Sequence, residues 1–161
     1  MKVILTGSSG TIGKQLVPRL SAMGMELLLV GRSAERLKSL FPAEQCVVYD
    51  DLAKYGRGFD WLIHMAVQNN DKTLPDHTFE ETNVALYKSI LDVARASDIG
   101  GVVNFSSFHA LPDGPDTPYA ASKRKALQLS NSLTGLRVID LLLPSVYGSV
   151  FSGRLSVSIA E

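Results

Sequence analysis

Thr6-Gly7-Ser8-Ser9-Gly10-Thr11-Ile12-Gly13 decides the fold of this chain, because of what stands on either side of it. Before it, Lys2 to Thr6 is a short apolar run of strand length. After it, Ile12, Leu16, Val17, Leu20 and Met23 recur at helical spacing until Gly24 supplies a stop. Between strand and helix each glycine has its own task. Gly7 permits a tight turn, Gly10 lets a backbone approach a pyrophosphate at the helix N-terminus, and Gly13 allows close packing of helix on strand. The G-x-x-G-x-x-G spacing departs by one residue from the standard dinucleotide fingerprint. Glycine-rich turns are common; the strand before and the helix after make this one specific.

The same alternation continues along the chain. Apolar runs at Glu26 to Val30, Cys46 to Tyr49, Trp61 to Met65, Val102 to Phe105 and Arg137 to Leu143 read as strands two to six. Helical periods separate them: Ala34 to Leu40 with Ser33 as N-cap, Asp76 to Ser97, and Tyr119 to Leu133. Pro18 is expected to bend the first helix or shift its start. Strands alternating with helices predict βαβ units, hence an α/β fold: a doubly wound parallel sheet of Rossmann type with helices on both faces. Its ligand is expected at the carboxyl ends of the strands, where the winding direction reverses. The loop His109 to Pro118, rich in proline, should lie near that site.

Composition narrows the partners. The 161 residues suit one buried domain, and 16 basic residues balance 16 acidic ones. No global field draws in nucleic acid or an anionic membrane. The single cysteine, Cys46, excludes an internal disulfide and a cysteine-based zinc site, and reads as a structural thiol between apolar neighbours. No metal is expected. With no leader and no long apolar run, the expectation is a cytoplasmic enzyme or binding module.

Tyr119-Ala120-Ala121-Ser122-Lys123 is the second chemical feature. On a helix the first and last of these share a face, so the ammonium can lower the phenol pKa and fit it for acid/base work. Such a pair also arises by chance at a solvated helix start. Upstream, at the end of strand five, Ser106 and Ser107 offer hydroxyls that could bond a substrate oxygen. His64 reads as a satisfied core histidine, His77 as solvated, and His109 as a loop residue or a substrate contact. Trp61, Phe79 and Tyr87 read as core.

Taken in this order, the motifs resemble those of the short-chain dehydrogenase/reductases, in particular the extended, epimerase/dehydratase-like group, over Val3 to Gly148. Thr6 to Gly13, with Gly7, Ser9, Gly10, Thr11, Ile12 and Gly13, matches that group's cofactor loop. Asp51-Leu52 matches its adenine-contacting pair. Asp60 to Ala66 resembles the fourth-strand segment, with Ala66 beside the cofactor ribose; Asn83 matches an asparagine of the next helix. Pro144-Ser145-Val146-Tyr147-Gly148 resembles the segment bordering nicotinamide and substrate. The resemblance implies that Tyr119 is the general acid/base, that Lys123 lowers its pKa and holds the nicotinamide ribose, and that Ser107, rather than Ser106, polarises the reacting carbonyl or hydroxyl. It also implies a homodimer paired through the two long helices.

The end of strand two bears on the cofactor. Val30-Gly31-Arg32-Ser33 has no carboxylate for the adenosine ribose. Arg32 could pair with a 2′-phosphate; it could also be a surface residue or stack on adenine. NADP(H) is thus preferred, with NAD(H) the alternative. The strand-six segment departs from the group, with Leu142 and Ser145 where an arginine and an asparagine are usual. Members of the group are longer, so residues 1–148 are read as the dinucleotide-binding domain and 149–161 as a short remnant of a substrate-domain region. The expected function is an oxidoreductase or epimerase/dehydratase acting on a nucleotide sugar or another small carbonyl compound. The alternative is a truncated, non-catalytic NADP(H)-binding sensor or assembly partner.

Overall fold

A computed structural model describes residues 1–68 and 75–144. Its strands are β1 (Lys2–Thr6), β2 (Glu26–Gly31), β3 (Gln45–Val48), β4 (Trp61–His64), β5 (Val102–Ser107) and β6 (Val138–Leu143). All pair in parallel in the order β3-β2-β1-β4-β5-β6. The winding runs outward from β1 to β3, then restarts on the other side with β4. The reversal falls between β1 and β4, which is where a doubly wound sheet opens a crevice.

Helices cover both faces. On one side α1 (Thr11–Ala22) and α2 (Ala34–Leu40) pack through Val17 and Leu37 onto Val3, Leu5, Leu27 and Leu29. On the other, α3 (Leu52–Tyr55), α5 (Leu86–Ala96) and α6 (Pro118–Ser132) bury Leu52, Tyr87, Ile90, Leu91 and Ala126 against Ile4, Leu28, Leu62 and Val102. Alternate residues of each inner strand serve the two cores, so β1 and β2 are almost wholly buried and read as continuous apolar runs. The outer strand β6 differs: Ile139, Leu141 and Leu142 stay exposed, and no strand among the described residues lies beyond it.

Local signals account for most boundaries. Ser33 caps α2, its Oγ accepting the Arg36 N–H at 3.1 Å. Gly24 ends the turn after α1 at φ +75°. Pro18 is accommodated inside α1. Several boundaries differ from the sequence reading. The strand β5 runs on through Ser106 and Ser107, which β6 pairs with Leu142 and Leu143; neighbouring strand overrides weak strand propensity. A 3-10 turn (Tyr49–Asp51) and α3 follow β3, and α6 starts at Pro118 behind the Thr117 cap. The long helix is α4 (Asp76–Phe79), a π-helical turn (Glu80–Ala85) and α5 in succession.

Gly13 is buried in α1, and a Cβ there would collide with the backbone of Ser8 and Gly7. Gly24 has open space around it. Gly13→Ala is therefore expected to cost about 2–3 kcal/mol through overpacking, and Gly24→Ala about 1 kcal/mol through its left-handed backbone alone. Thermal unfolding of the two variants checks the order.

Candidate cofactor crevice and active site

The crevice floor is where β1 and β4 end. Gly7 turns at φ +75°, and a Cβ on it would lie 2.5 Å from the Ala66 backbone N and 2.6 Å from the Met65 carbonyl carbon. Only glycine lets the two strand ends approach so closely. The Thr6 hydroxyl fastens them: it accepts the Ala66 N–H at 3.4 Å and lies 2.8 Å from His64 Nδ1. The hydroxyl thus bonds both strand ends at once, through the Ala66 N–H and the His64 ring.

Beyond Gly7, Gly10 is the N-cap of α1 and has no side chain to cap it. The first helical bond runs from the Lys14 N–H to the Gly10 carbonyl at 3.0 Å. The N–H groups of Thr11, Ile12 and Gly13 are left at the helix start, where they and the dipole favour an anion. A Cβ at Gly10 would meet only the Gly7 carbonyl, at 3.2 Å, so its outer side is open. This cradle fits the pyrophosphate of a dinucleotide. Ser8, by contrast, is buried with its Oγ on the Leu5 carbonyl, and Ser9 is half-buried on the loop.

At the ends of β2 and β3, Arg32 is exposed, and no carboxylate among the described residues lies within ion-pair distance of it. Its charge reaches Tyr49, whose phenol burial pushes up and Arg32 pulls down. The Ser33 hydroxyl is occupied in capping α2. Asp51 is half-buried beside this end, whereas Leu52 points into the core.

The second cluster joins β5 and α6. The Tyr119 ring stands edge-on between Phe79 (centroids 6.4 Å) and His109 (6.0 Å). Burial pushes its phenol up, and the Ser107 hydroxyl beside it pulls the other way. Lys123 Nζ lies 5.9 Å from the centroid of the same ring, so helix spacing does place the pair together. Yet the ammonium is turned inward: Lys123 is 5% exposed and Nζ donates to the Phe105 carbonyl at 3.3 Å. Burial, not the lysine, dominates the phenol, so the expected lowering of its pKa is absent from the chain by itself. Ser107 Oγ also accepts the His109 N–H at 3.3 Å, while His109 Nδ1 and Ser106 Oγ are buried without partners among the described residues.

Asn83 and Ser122 tie this cluster to the crevice. The Asn83 amide accepts from Gln68 N–H (2.7 Å) and donates to the Gln68 carbonyl (3.2 Å) and to Ser122 Oγ (3.0 Å). Ser122 in turn donates to the Tyr119 carbonyl at 2.7 Å. Both amide hydrogens of Asn83 are engaged within the protein, so it braces the segment after β4 against α6. Ser122, read only as a spacer in the sequence, is the other half of that brace; a buried polar residue one turn from Tyr119 was its one signal. Pro144 is exposed directly after β6, and Ser145 to Gly148 lie outside the described residues.

An open cleft of about 450 Å3 lies beside the start of α6, lined by Ser122 and Ala121 with Asp76, Glu80 and Asp116. That acidic rim does not suit a pyrophosphate. Among the described residues no cluster of acidic, histidine or cysteine side chains could hold a metal, and no helix is long and apolar enough to cross a membrane. Cys46 is half-buried, and burial raises its thiol pKa.

Comparison with known proteins places this fold and crevice in a class. Residues 3–159 match the NAD dependent epimerase/dehydratase family, and the chain belongs to it. A curated relative is a 4-hydroxy-2-methyl-3-oxo-4-farnesyl-3,4-dihydroquinoline-1-oxide ketoreductase of Stigmatella aurantiaca, 28% identical over 80% of this chain and 45% of its own. Among solved structures, UDP-N-acetylglucosamine 4-epimerase from Bacillus cereus superposes with a TM-score of 0.74 at 20% identity, over 88% of this chain and 55% of the other. The dTDP-glucose 4,6-dehydratase of Streptomyces venezuelae, solved with NAD, gives 0.73 at 23% identity, over 87% and 54%. The chain thus spans about half the length of these relatives. The family match fixes the family, and the likeness to the solved structures shows the shared fold.

His64 is 3% exposed, and burial, then the charge of Lys123, lowers its pKa to about 3 from 6.5. The folded value lies below the unfolded one, so the unfolded chain binds the proton first. Stability due to neutral His64 is complete above pH 6.5 and is lost as pH falls towards 3. At about 1.4 kcal/mol per unit, the wild type should lose about 2 kcal/mol more than His64→Gln between pH 6.5 and 4.5 in urea unfolding.

Proposed function

We propose that this chain transfers hydride between a nicotinamide cofactor and a carbonyl or alcohol carbon of a nucleotide sugar or another small substrate, at a site formed by Ser107, Tyr119 and Lys123. One observation carries the reading: the Ser107 hydroxyl stands beside the Tyr119 phenol, and Lys123 Nζ lies 5.9 Å from the centroid of the same ring. When bound, the nicotinamide supplies or accepts the hydride. Tyr119 gives its phenolic proton to the carbonyl oxygen, or takes it back in oxidation. The Ser107 hydroxyl bonds that same oxygen and orients it. The Lys123 ammonium, once it leaves the Phe105 carbonyl for the site, lowers the cost of the phenolate.

The cofactor is held by the open α1 N-terminus at the pyrophosphate, with Ser9 and Thr11 to Gly13 around it, by Arg32, Ser33 and Asp51 at the adenosine end, and by Ala66 and Pro144 along the nicotinamide half. The guanidinium of Arg32, without an ion-pair partner among the described residues, favours NADP(H); the family description and the NAD-bound structures keep NAD(H) as the alternative. Residues 1–148 form the dinucleotide-binding part, with 149–161 belonging to the substrate side, and α5 with α6 provide the face for a homodimer. A second reading, a dinucleotide binder without turnover, is supported by the phenol that burial raises and the Lys123 ammonium turned to Phe105.

NADPH mixed with a panel of nucleotide-sugar ketones and small ketones separates the two. Turnover that falls about a hundred- to ten-thousandfold in Tyr119→Phe, with NADPH binding retained, supports catalysis; binding without turnover on any ketone supports the second reading. Arg32→Asp should weaken NADPH relative to NADH by about tenfold or more, the scale of one charge-assisted hydrogen bond. Unchanged relative affinities would remove the NADP(H) preference.

A further inference from the structure

We propose that Asp140, held across the β5–β6 ladder by Asn104, is the counter-charge that keeps Lys123 an ammonium inside the protein, and is thereby a positioning residue for the Tyr119–Lys123 pair. The role rests on the reaction site proposed above, but the charge itself can be measured without it.

Lys123 is nearly sealed from solvent, and the Phe105 carbonyl at 3.3 Å is its one hydrogen-bond partner among the described residues. A buried ammonium with no opposing charge costs several kcal/mol and sheds its proton instead. Burial has already pushed Lys123 down to about 8, against an ordinary 10.5. The elements packed around it offer little to hold the remaining charge. From β4 comes His64, a neutral ring that the ammonium itself helps to keep neutral. From α5 comes Tyr87, stacked on His64 at 5.1 Å, its hydroxyl 2.8 Å from Ser130 and its phenol pushed up by burial. On α6 itself stands Tyr119, also raised. From β5 comes a carbonyl. Among the described residues β6 brings the carboxylate: Lys123 Nζ sits on the carbonyl of Phe105, the residue next to Asn104, which holds Asp140 across the ladder, and that charge raises the lysine.

The carboxylate is fixed in place rather than incidental. Asp140 is the one charged residue in the strand Val138-Ile139-Asp140-Leu141-Leu142-Leu143, and Asn104 sits in the otherwise apolar start of Val102-Val103-Asn104-Phe105. The two are direct register partners, and Asn104 Nδ2 donates to Asp140 Oδ1 at 2.6 Å. Two apolar residues would satisfy the ladder equally well, so sheet packing alone gives no reason for the pair. Electrostatics does. The carboxylate acts across space, without a contact ion pair, which leaves the ammonium free to bond elsewhere. At neutral pH, below about 8, Lys123 is then mostly charged beside Tyr119.

The test is a pH titration of the full chain with ¹⁵N-labelled lysine, followed by NMR, the Lys123 resonance being assigned by its loss in Lys123→Arg. Asp140→Asn should lower the Lys123 midpoint by about one pH unit, a tenfold fall in its protonated-to-neutral ratio; Asp140→Glu should restore most of it. Asn104→Ala, which frees the carboxylate without removing it, should give a smaller fall. A midpoint unchanged in Asp140→Asn overturns the proposal; if that variant does not melt cooperatively, an unchanged midpoint in Asn104→Ala does so. In the pH profile of ketone reduction, the limb lost on deprotonation of Lys123 should move down with the NMR midpoint and appear in kcat rather than KM. A wild type without turnover but with the shifted midpoint would remove the reaction reading and leave the counter-charge standing.

Discussion

Everything in this molecule hangs on the approach of two strand ends, β1 and β4, to within a distance that admits no side chain between them. The Gly7 turn lies against the Met65–Ala66 backbone, and the missing Cβ is what allows it. From that contact follow the direction in which α1 leaves the sheet, the exposure of its N-terminal N–H groups, and the crevice where the winding reverses. The Thr6 hydroxyl then holds the two ends by bonding both Ala66 and His64. The open start of α1 and the core are thus one construction, and a change that loosens either disturbs both.

Much of this could be read in the sequence, because glycine requirements and caps are local. Gly7, Gly10 and Gly13 announce their backbone demands without reference to the rest of the chain, and Ser33 caps α2 three residues from its partner. The continuous apolar runs of β1 and β2 told of a sheet covered on both faces. The Tyr119–Lys123 pairing was legible from helical spacing, and the placement of His64, Phe79 and Tyr87 from their apolar settings.

What could not be read depends on register between distant segments. Asn104 and Asp140 stand 36 residues apart and meet only because β5 and β6 align as they do. The brace from Gln68 through Asn83 and Ser122 to Tyr119 likewise crosses three elements, and it uses a π-helical turn that no periodicity reveals. Helical spacing puts Lys123 beside the phenol, but its inward turn to Phe105 follows from the depth of burial, which a pattern of residue types does not carry. The end of β5 was set too early because two serines are poor strand formers, and the β6 ladder outweighs that preference.

The outermost strand has a consequence of its own. The sheet ends at β3 in a short strand of four residues; among the described residues its other margin is β6, six residues long, with Ile139, Leu141 and Leu142 exposed. A long strand edge left without a partner is adhesive in the plane of the sheet. Lengthening the sheet by one strand would satisfy a row of backbone groups and cover apolar surface in the same act. Among the described residues both margins of the sheet are edges, but the one that carries Asp140 is the longer and is bordered by exposed apolar side chains.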